Sequence, residues 1–175
     1  AGKRKKIVDA KWDLAEFRAN CNGQLAYDCA NAFYDNPHIL REFVKENPDK
    51  LNDEKLSVAE DFRYFEKGSF FVYKYLKDYT VFIKDNLAFG VLSLSDPFEA
   101  FFGNNLPTYI ETVLLPYRGK IVYHGVLRGG RMRFGSGYRS SLNEVYKKAK
   151  AKYGIITSLP FSGNAVYAQQ SPADQ

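Results

Sequence analysis

The chain has 175 residues and a mass of 20.0 kDa; it is 45% hydrophobic and 26% charged, with 14 Phe and 13 Tyr. That much apolar and aromatic side chain fills one packed domain and excludes a chain that stays disordered. The net charge of +5 is unevenly spread: residues 117–152 carry ten Lys or Arg against one acid, whereas 85–116 carry four acids and no base.

One domain over residues 1–160 is expected, followed by a flexible or docked tail over 161–175, rich in Ser, Gly, Asn and Gln. No apolar run reaches the length of a membrane span, and the basic N-terminal segment AGKRKK has no hydrophobic core behind it, so no membrane association and a cytoplasmic location are expected. Cys21 and Cys29 lack a Cys-x-x-Cys spacing and read as small buried thiols of a reducing compartment. On a continuous helix they would stand about 12 Å apart, too far for a disulfide.

From Ile7 to Phe33 apolar residues recur at the helical period, and Asn22-Gly23 allows either one helix with a weak point or two helices. Asp35-Asn36-Pro37 starts another, with Ile39, Leu40, Phe43 and Val44 on one face, ending at Asn47 before Pro48. A third begins near Asn52 and is expected to run to Gly68. Its acids Asp53, Glu54, Glu60 and Asp61 are interleaved with apolar residues, the pattern of a solvated face rather than a metal site.

After Gly68 the texture changes to aromatic and β-branched runs. Residues 69–76, 79–83 and 87–94 read as three meander strands, broken at Lys77-Asp78 and Asp85-Asn86. A short helical turn follows Asp96-Pro97. Residues 108–115 and 120–127 are two further strands joined at Tyr117-Arg118-Gly119, and 132–134 is a sixth, paired back through Arg128-Gly129-Gly130-Arg131. Ser141 to Glu144 has capping-box spacing, with Leu142, Val145, Tyr146, Ala149 and Tyr153 on one face of the helix behind it. Residues 155–157 form a last strand candidate. The fold class expected is α+β, with N-terminal helices packed on an antiparallel meander sheet of five or six strands and a basic C-terminal helix.

One stretch concentrates chemistry. Between Lys120 and Arg139 the residues Tyr123, His124, Arg128, Arg131, Arg133 and Arg139 surround Gly135-Ser136-Gly137, which leads into the helix bearing Lys147, Lys148 and Lys150. Amides of a helix start and nearby arginines suit an anion, so Arg128, Arg131, Arg133, Ser136, Gly137, Arg139, Lys147, Lys148 and Lys150 are the candidate anion-binding residues. The spacing is neither that of a Walker A loop nor of a dinucleotide fingerprint, and glycines that serve a hairpin with arginines that solvate its edge are the plainer reading. His124 and Tyr123 are the candidate acid/base pair, although strand alternation sends them to opposite faces. No triad order and no zinc spacing is present, and neither a metal nor a cofactor is expected.

VLLPYRGKIVYHGVL (113–127) and FGSGYRSSLNEVYKKAKAKYGIITSLP (134–160) resemble a prokaryotic protein family without an assigned activity, which shares an LLP-aromatic-basic-GKI-YDG pattern and a closing GIITSLP. The resemblance extends back to Gly68 and implies a common fold and no chemistry. In that pattern the position of His124 is aspartate, which weighs against a catalytic histidine.

The leading functional expectation is a binding protein for RNA, DNA or another polyanion, with Tyr117 or Tyr138 stacking on unpaired bases. One alternative is a metal-independent phosphodiesterase or nuclease, with His124 or Tyr123 as acid/base and Arg131 or Arg133 stabilising the phosphorane. The other is a protein–protein interaction module, distinguished by binding that salt does not weaken.

Overall fold

Residues 2, 3, 6–9, 11–130 and 134–162 are described by the computed structural model, and they divide into two units, 1–63 and 64–175. In the first, the turn dipeptide wins over helix continuity. Helix α1 (Leu14–Asn20) opens with a capping box in which the Asp13 carboxylate accepts from the Glu16 amide and Glu16 accepts from the Asp13 amide, both at 2.8 Å. Asn22 then caps α2 (Gly23–Tyr34), its side-chain oxygen accepting from the Leu25 amide at 2.8 Å. Two helices form because Asn22 satisfies the second one's first turn. Cys21 and Cys29 are free thiols on either side of this break.

Helix α3 (His38–Glu46) stops at Asn47, which takes a left-handed conformation at φ 41° and holds the following loop by bonds to both the amide and the carbonyl of Leu51. Helix α4 (Asp53–Asp61) packs on α3 and starts at its cap Asn52, as the sequence predicts. It ends seven residues before Gly68, by way of a 3₁₀ turn over Phe62–Tyr64. Gly68 lies within the first strand instead, at φ 148°, where the Lys84 side chain crosses it: an added Cβ would stand 3.1 Å from Lys84 Cε.

The second unit is built on β1 (Glu66–Tyr75), β2 (Thr80–Lys84), β3 (Leu87–Leu92), β4 (Thr108–Tyr117) and β5 (Lys120–Gly129). These five strands close into a barrel in the order β1-β2-β3-β5-β4. The sheet is therefore mixed and not antiparallel throughout. Hairpin turns fix antiparallel neighbours at β1–β2, β2–β3 and β4–β5, but the chain crosses from β3 through α5 (Phe98–Phe102) to pair β4 with β1. That leaves β5 beside β3 and parallel to it, with Val91 opposite Ile121 and Leu92 opposite Val122. Two hairpins turn on left-handed pairs, Asp85-Asn86 and Arg118-Gly119, as the twist of adjoining strands requires.

Alternation sorts the aromatic residues. Phe70, Val72, Phe82, Phe89, Ile110, Leu114, Ile121 and Tyr123 fill the barrel, with Phe98 and Phe102 of α5 packed into the same core. At one end Lys84 pairs with Glu66 and donates to the Lys67 carbonyl at 2.9 Å, so this largely buried charge has both a counter-ion and a hydrogen bond. Outside, α6 (Ser136–Tyr153) lies across β1, β2 and β3. Its Leu142, Tyr146 and Ala149 meet Val81, Ile83 and Ala88, flanked by Phe71 and Tyr73.

Helix α6 begins at Ser136, not at Ser141. The capping-box spacing misleads because Ser141 sits in the second turn and donates to the Gly137 carbonyl at 3.2 Å, while Glu144 pairs with Lys147 at 3.0 Å. The last strand candidate reduces to one bridge: the Gly90 amide donates to the Ile156 carbonyl and the Ile156 amide to the Ala88 carbonyl, both at 2.8 Å. Of the expected sixth strand, residues 132 and 133 lie outside the described residues and Phe134 is in no strand; Gly130 instead prolongs the edge of β5 by donating to Tyr109 at 2.9 Å. Of the tail, Phe161 packs its ring on Tyr153 at 5.7 Å, and residues 163–175 are outside the described residues. No helix among the described residues is long and apolar enough to cross a membrane.

Candidate functional site

A bulge in β5 begins just after Tyr123 and takes in His124. On β4, Val113 alone stands against residues 124–126 of β5, because Leu114 pairs with Tyr123 and Thr112 with Leu127. Gly125, at φ 92°, makes the irregularity possible, and the Thr112 hydroxyl donates to the Val126 carbonyl at 2.8 Å to close it. Tyr123, in regular register with Leu114, points into the barrel as Ile121 does, and is 4% exposed with its ring 5.2 Å from Phe98. His124 points outward and accepts at Nδ1 from the Val113 amide at 3.3 Å. Burial holds its pKa below the ordinary value, and the positive charge of Lys67 acts in the same direction. The two side chains leave opposite faces of β5, Tyr123 in the barrel core and His124 on the Val113 amide.

The candidate cations among the described residues lie on two elements, Arg128 on β5 and the others on α6. Arg128 projects from β5 directly opposite Glu111 on β4, so a carboxylate is its cross-strand neighbour. Arg131 and Arg133 lie outside the described residues. Ser136 and Gly137 form the exposed first turn of α6, capped by Gly135 with no side-chain bond. Arg139, Lys147, Lys148 and Lys150 are all exposed on α6, on the circumference left over once Leu142, Tyr146 and Ala149 are packed.

Helical spacing puts Arg139, Asn143, Lys147 and Lys150 along one flank of α6. That flank faces β1, since the Tyr73 hydroxyl donates to Asn143 Oδ1 at 2.8 Å and the Tyr73 and Tyr146 rings lie 5.0 Å apart. Lys74 adds its ammonium 4.1 Å above the Tyr146 ring. At the N-terminal end of α6 Phe134 and Tyr138 stack at 4.7 Å and both lean on Phe71, leaving Tyr138 45% exposed. Tyr138 thus adds an exposed, braced aromatic ring in the first turn of the helix that carries the cations.

A second feature lies at the other end of β3. A cavity of about 220 Å³ is lined by Asp78, Tyr79, Gly90, Leu92, Lys120 and Thr157. None of these residues stands out by composition, and it is Gly90, an isolated glycine within a strand run, that carries the sequence signal of a close approach. The Tyr79 ring occupies the space above it, 2.8 Å from where a Cβ would be.

Among the described residues no group of three or more His, Cys, Asp or Glu side chains is arranged to hold a metal ion. No family model, curated protein or solved structure matches the chain.

Proposed function

We propose that this protein binds single-stranded nucleic acid along the exposed flank of α6, with Arg139, Lys147 and Lys150 on phosphates and Tyr138 stacked on a base. The observation that carries the reading is the row of exposed cations on α6 together with the exposed, braced ring of Tyr138 in its first turn. Glu144 is the single acid of the helix, and it engages one lysine, Lys147. The barrel lends support of a more general kind. Its five strands in the order 1-2-3-5-4, with a helix between the third and fourth, have the connectivity of OB barrels, many of which bind oligonucleotides on an outer strand face. Here α6 covers much of that face, so the basic side of α6 takes its place as the surface offered to a ligand.

Fluorescence anisotropy with a labelled single-stranded oligonucleotide tests the reading. Three phosphate contacts give a slope of about −2 in log affinity against log salt, a loss of roughly twentyfold between about 50 and 200 mM. Charge reversal by Lys147→Glu with Lys150→Glu reduces both affinity and slope, and Tyr138→Ala reduces affinity at unchanged slope. Absence of binding to RNA and DNA at the lower salt overturns the proposal.

A further inference from the structure

We infer that the cavity at the end of β3 receives one unpaired nucleobase together with its phosphate, the base lying against Tyr79 and the phosphate against Lys120. The inference takes the class of ligand from the nucleic-acid reading above and adds a base-holding site that is separate from α6.

The cavity exists because β3 changes partner along its edge. Val91 and Leu92 pair with β5, whereas Gly90 and Ala88 bond to Ile156. Between the two partners the edge opens, with Lys120 at the start of β5 on one side and Thr157, next to Ile156, on the other. Tyr79 closes the third side from the β1–β2 turn. Its ring is seated over the bare backbone of Gly90 and packs against the cluster of Val81, Ile83 and Ala88, so its place is set before any ligand arrives. A ring already fixed loses little entropy when a second ring is laid on it.

The polar groups match a nucleotide. Lys120 supplies a cation, Asp78 an acceptor for an exocyclic amine and Thr157 a hydroxyl, and among the described residues none of these three side chains is engaged in a hydrogen bond or ion pair. The size matches a single flat ring, since about 220 Å³ falls below the roughly 300–1,000 Å³ of sites for drug-sized ligands. An adjoining, more open cavity of about 320 Å³ shares Asp78, Tyr79 and Leu92 and adds Ser93 and Ser95, which leaves room for the sugar and the continuing chain.

The test is a titration of the isotope-labelled protein with adenosine monophosphate and cytidine monophosphate, followed by NMR. Resonances of Gly90, Leu92 and Thr157 are expected to shift together, with saturation by about 10 mM. Tyr79→Ala should weaken binding about fivefold or more, the lower range for loss of one stacked base, while Tyr79→Phe keeps both ring and binding. Lys120→Ala should weaken the monophosphate and leave adenosine unchanged. No shift at these residues, or the same shifts with inorganic phosphate alone, overturns the inference. Oligonucleotide binding that depends on the α6 lysines without any monophosphate response also overturns it, while leaving the α6 interface standing. Monophosphate binding without oligonucleotide binding does the reverse.

Discussion

The hydroxyl of Tyr73 donates to Oδ1 of Asn143 at 2.8 Å, joining β1 to α6 across 70 residues of sequence. It is a polar pin beside an otherwise apolar seam of Leu142, Tyr146 and Ala149 on Val81, Ile83 and Ala88. The flank of α6 that carries Arg139, Lys147 and Lys150 is aimed by this contact.

Removal of either partner should therefore cost about 1 kcal/mol of unfolding free energy, the usual net worth of a partly buried hydrogen bond. Tyr73→Phe and Asn143→Ala are each expected to lower the urea midpoint. The double variant should lie close to the single ones, because the two residues share one interaction. Strict additivity would show that the bond contributes nothing.

Gly90 and Gly23 should respond oppositely to alanine. A Cβ at Gly90 meets the Tyr79 ring at 2.8 Å, and overpacking of this kind costs about 1–3 kcal/mol. Nothing lies within 4 Å of a Cβ at Gly23, the first residue of α2, so Gly23→Ala should be neutral or stabilising by about 0.4–1 kcal/mol. Denaturant titration of the two variants checks the pair, and equal effects would contradict it.

Acid should weaken the fold through His124. Burial keeps its folded pKa below the value of about 6.5 found in an unfolded chain. Above that value both states are neutral and the fold keeps its full stability. As pH falls through it the unfolded chain takes up the proton first, and stability is lost until the folded pKa is passed. Protonation also removes the acceptor that serves the Val113 amide. His124→Asn, which offers a non-titrating acceptor, should show a shallower fall in denaturation midpoint between about pH 7.5 and pH 5 than the parent protein. Identical profiles would assign the acid sensitivity elsewhere.

Thr108 is fully buried, and its hydroxyl has no hydrogen-bond partner among the described residues. Thr108→Val keeps the shape and removes the desolvated oxygen. It should raise the unfolding free energy by about 1 kcal/mol. A loss of stability measured by calorimetry would mean that the hydroxyl is engaged.

Local signals in the sequence located most of the elements. Left-handed turn residues at Asp85-Asn86 and Arg118-Gly119 and the alternation of Phe70 and Val72 with Phe71 and Tyr73 fixed strands whose ends agree with the structure to within a few residues. Pairing between distant strands carries no such local mark. Closure of the barrel and the parallel contact of Val91 with Ile121 depend on where α5 sends the chain, so a meander was the simpler expectation. At Ser141 the capping-box spacing does not mark a helix start, because a hydroxyl within a helix has the same spacing as one at its start. At the candidate site, the charge of α6 was legible as composition, but its flank was not. That depends on Asn143 meeting Tyr73, and the cavity beside Tyr79 likewise depends on Ile156 reaching the edge of β3.

That reach of Ile156 has a mechanical meaning for α6. The helix is stitched down at both extremities: the Phe134 and Tyr138 rings clasp Phe71 ahead of its middle, and behind it two main-chain hydrogen bonds fasten Ile156 to β3. A rod secured at both ends cannot swing away as a flap, so tension applied to the lysine row is passed directly into the wall of the barrel.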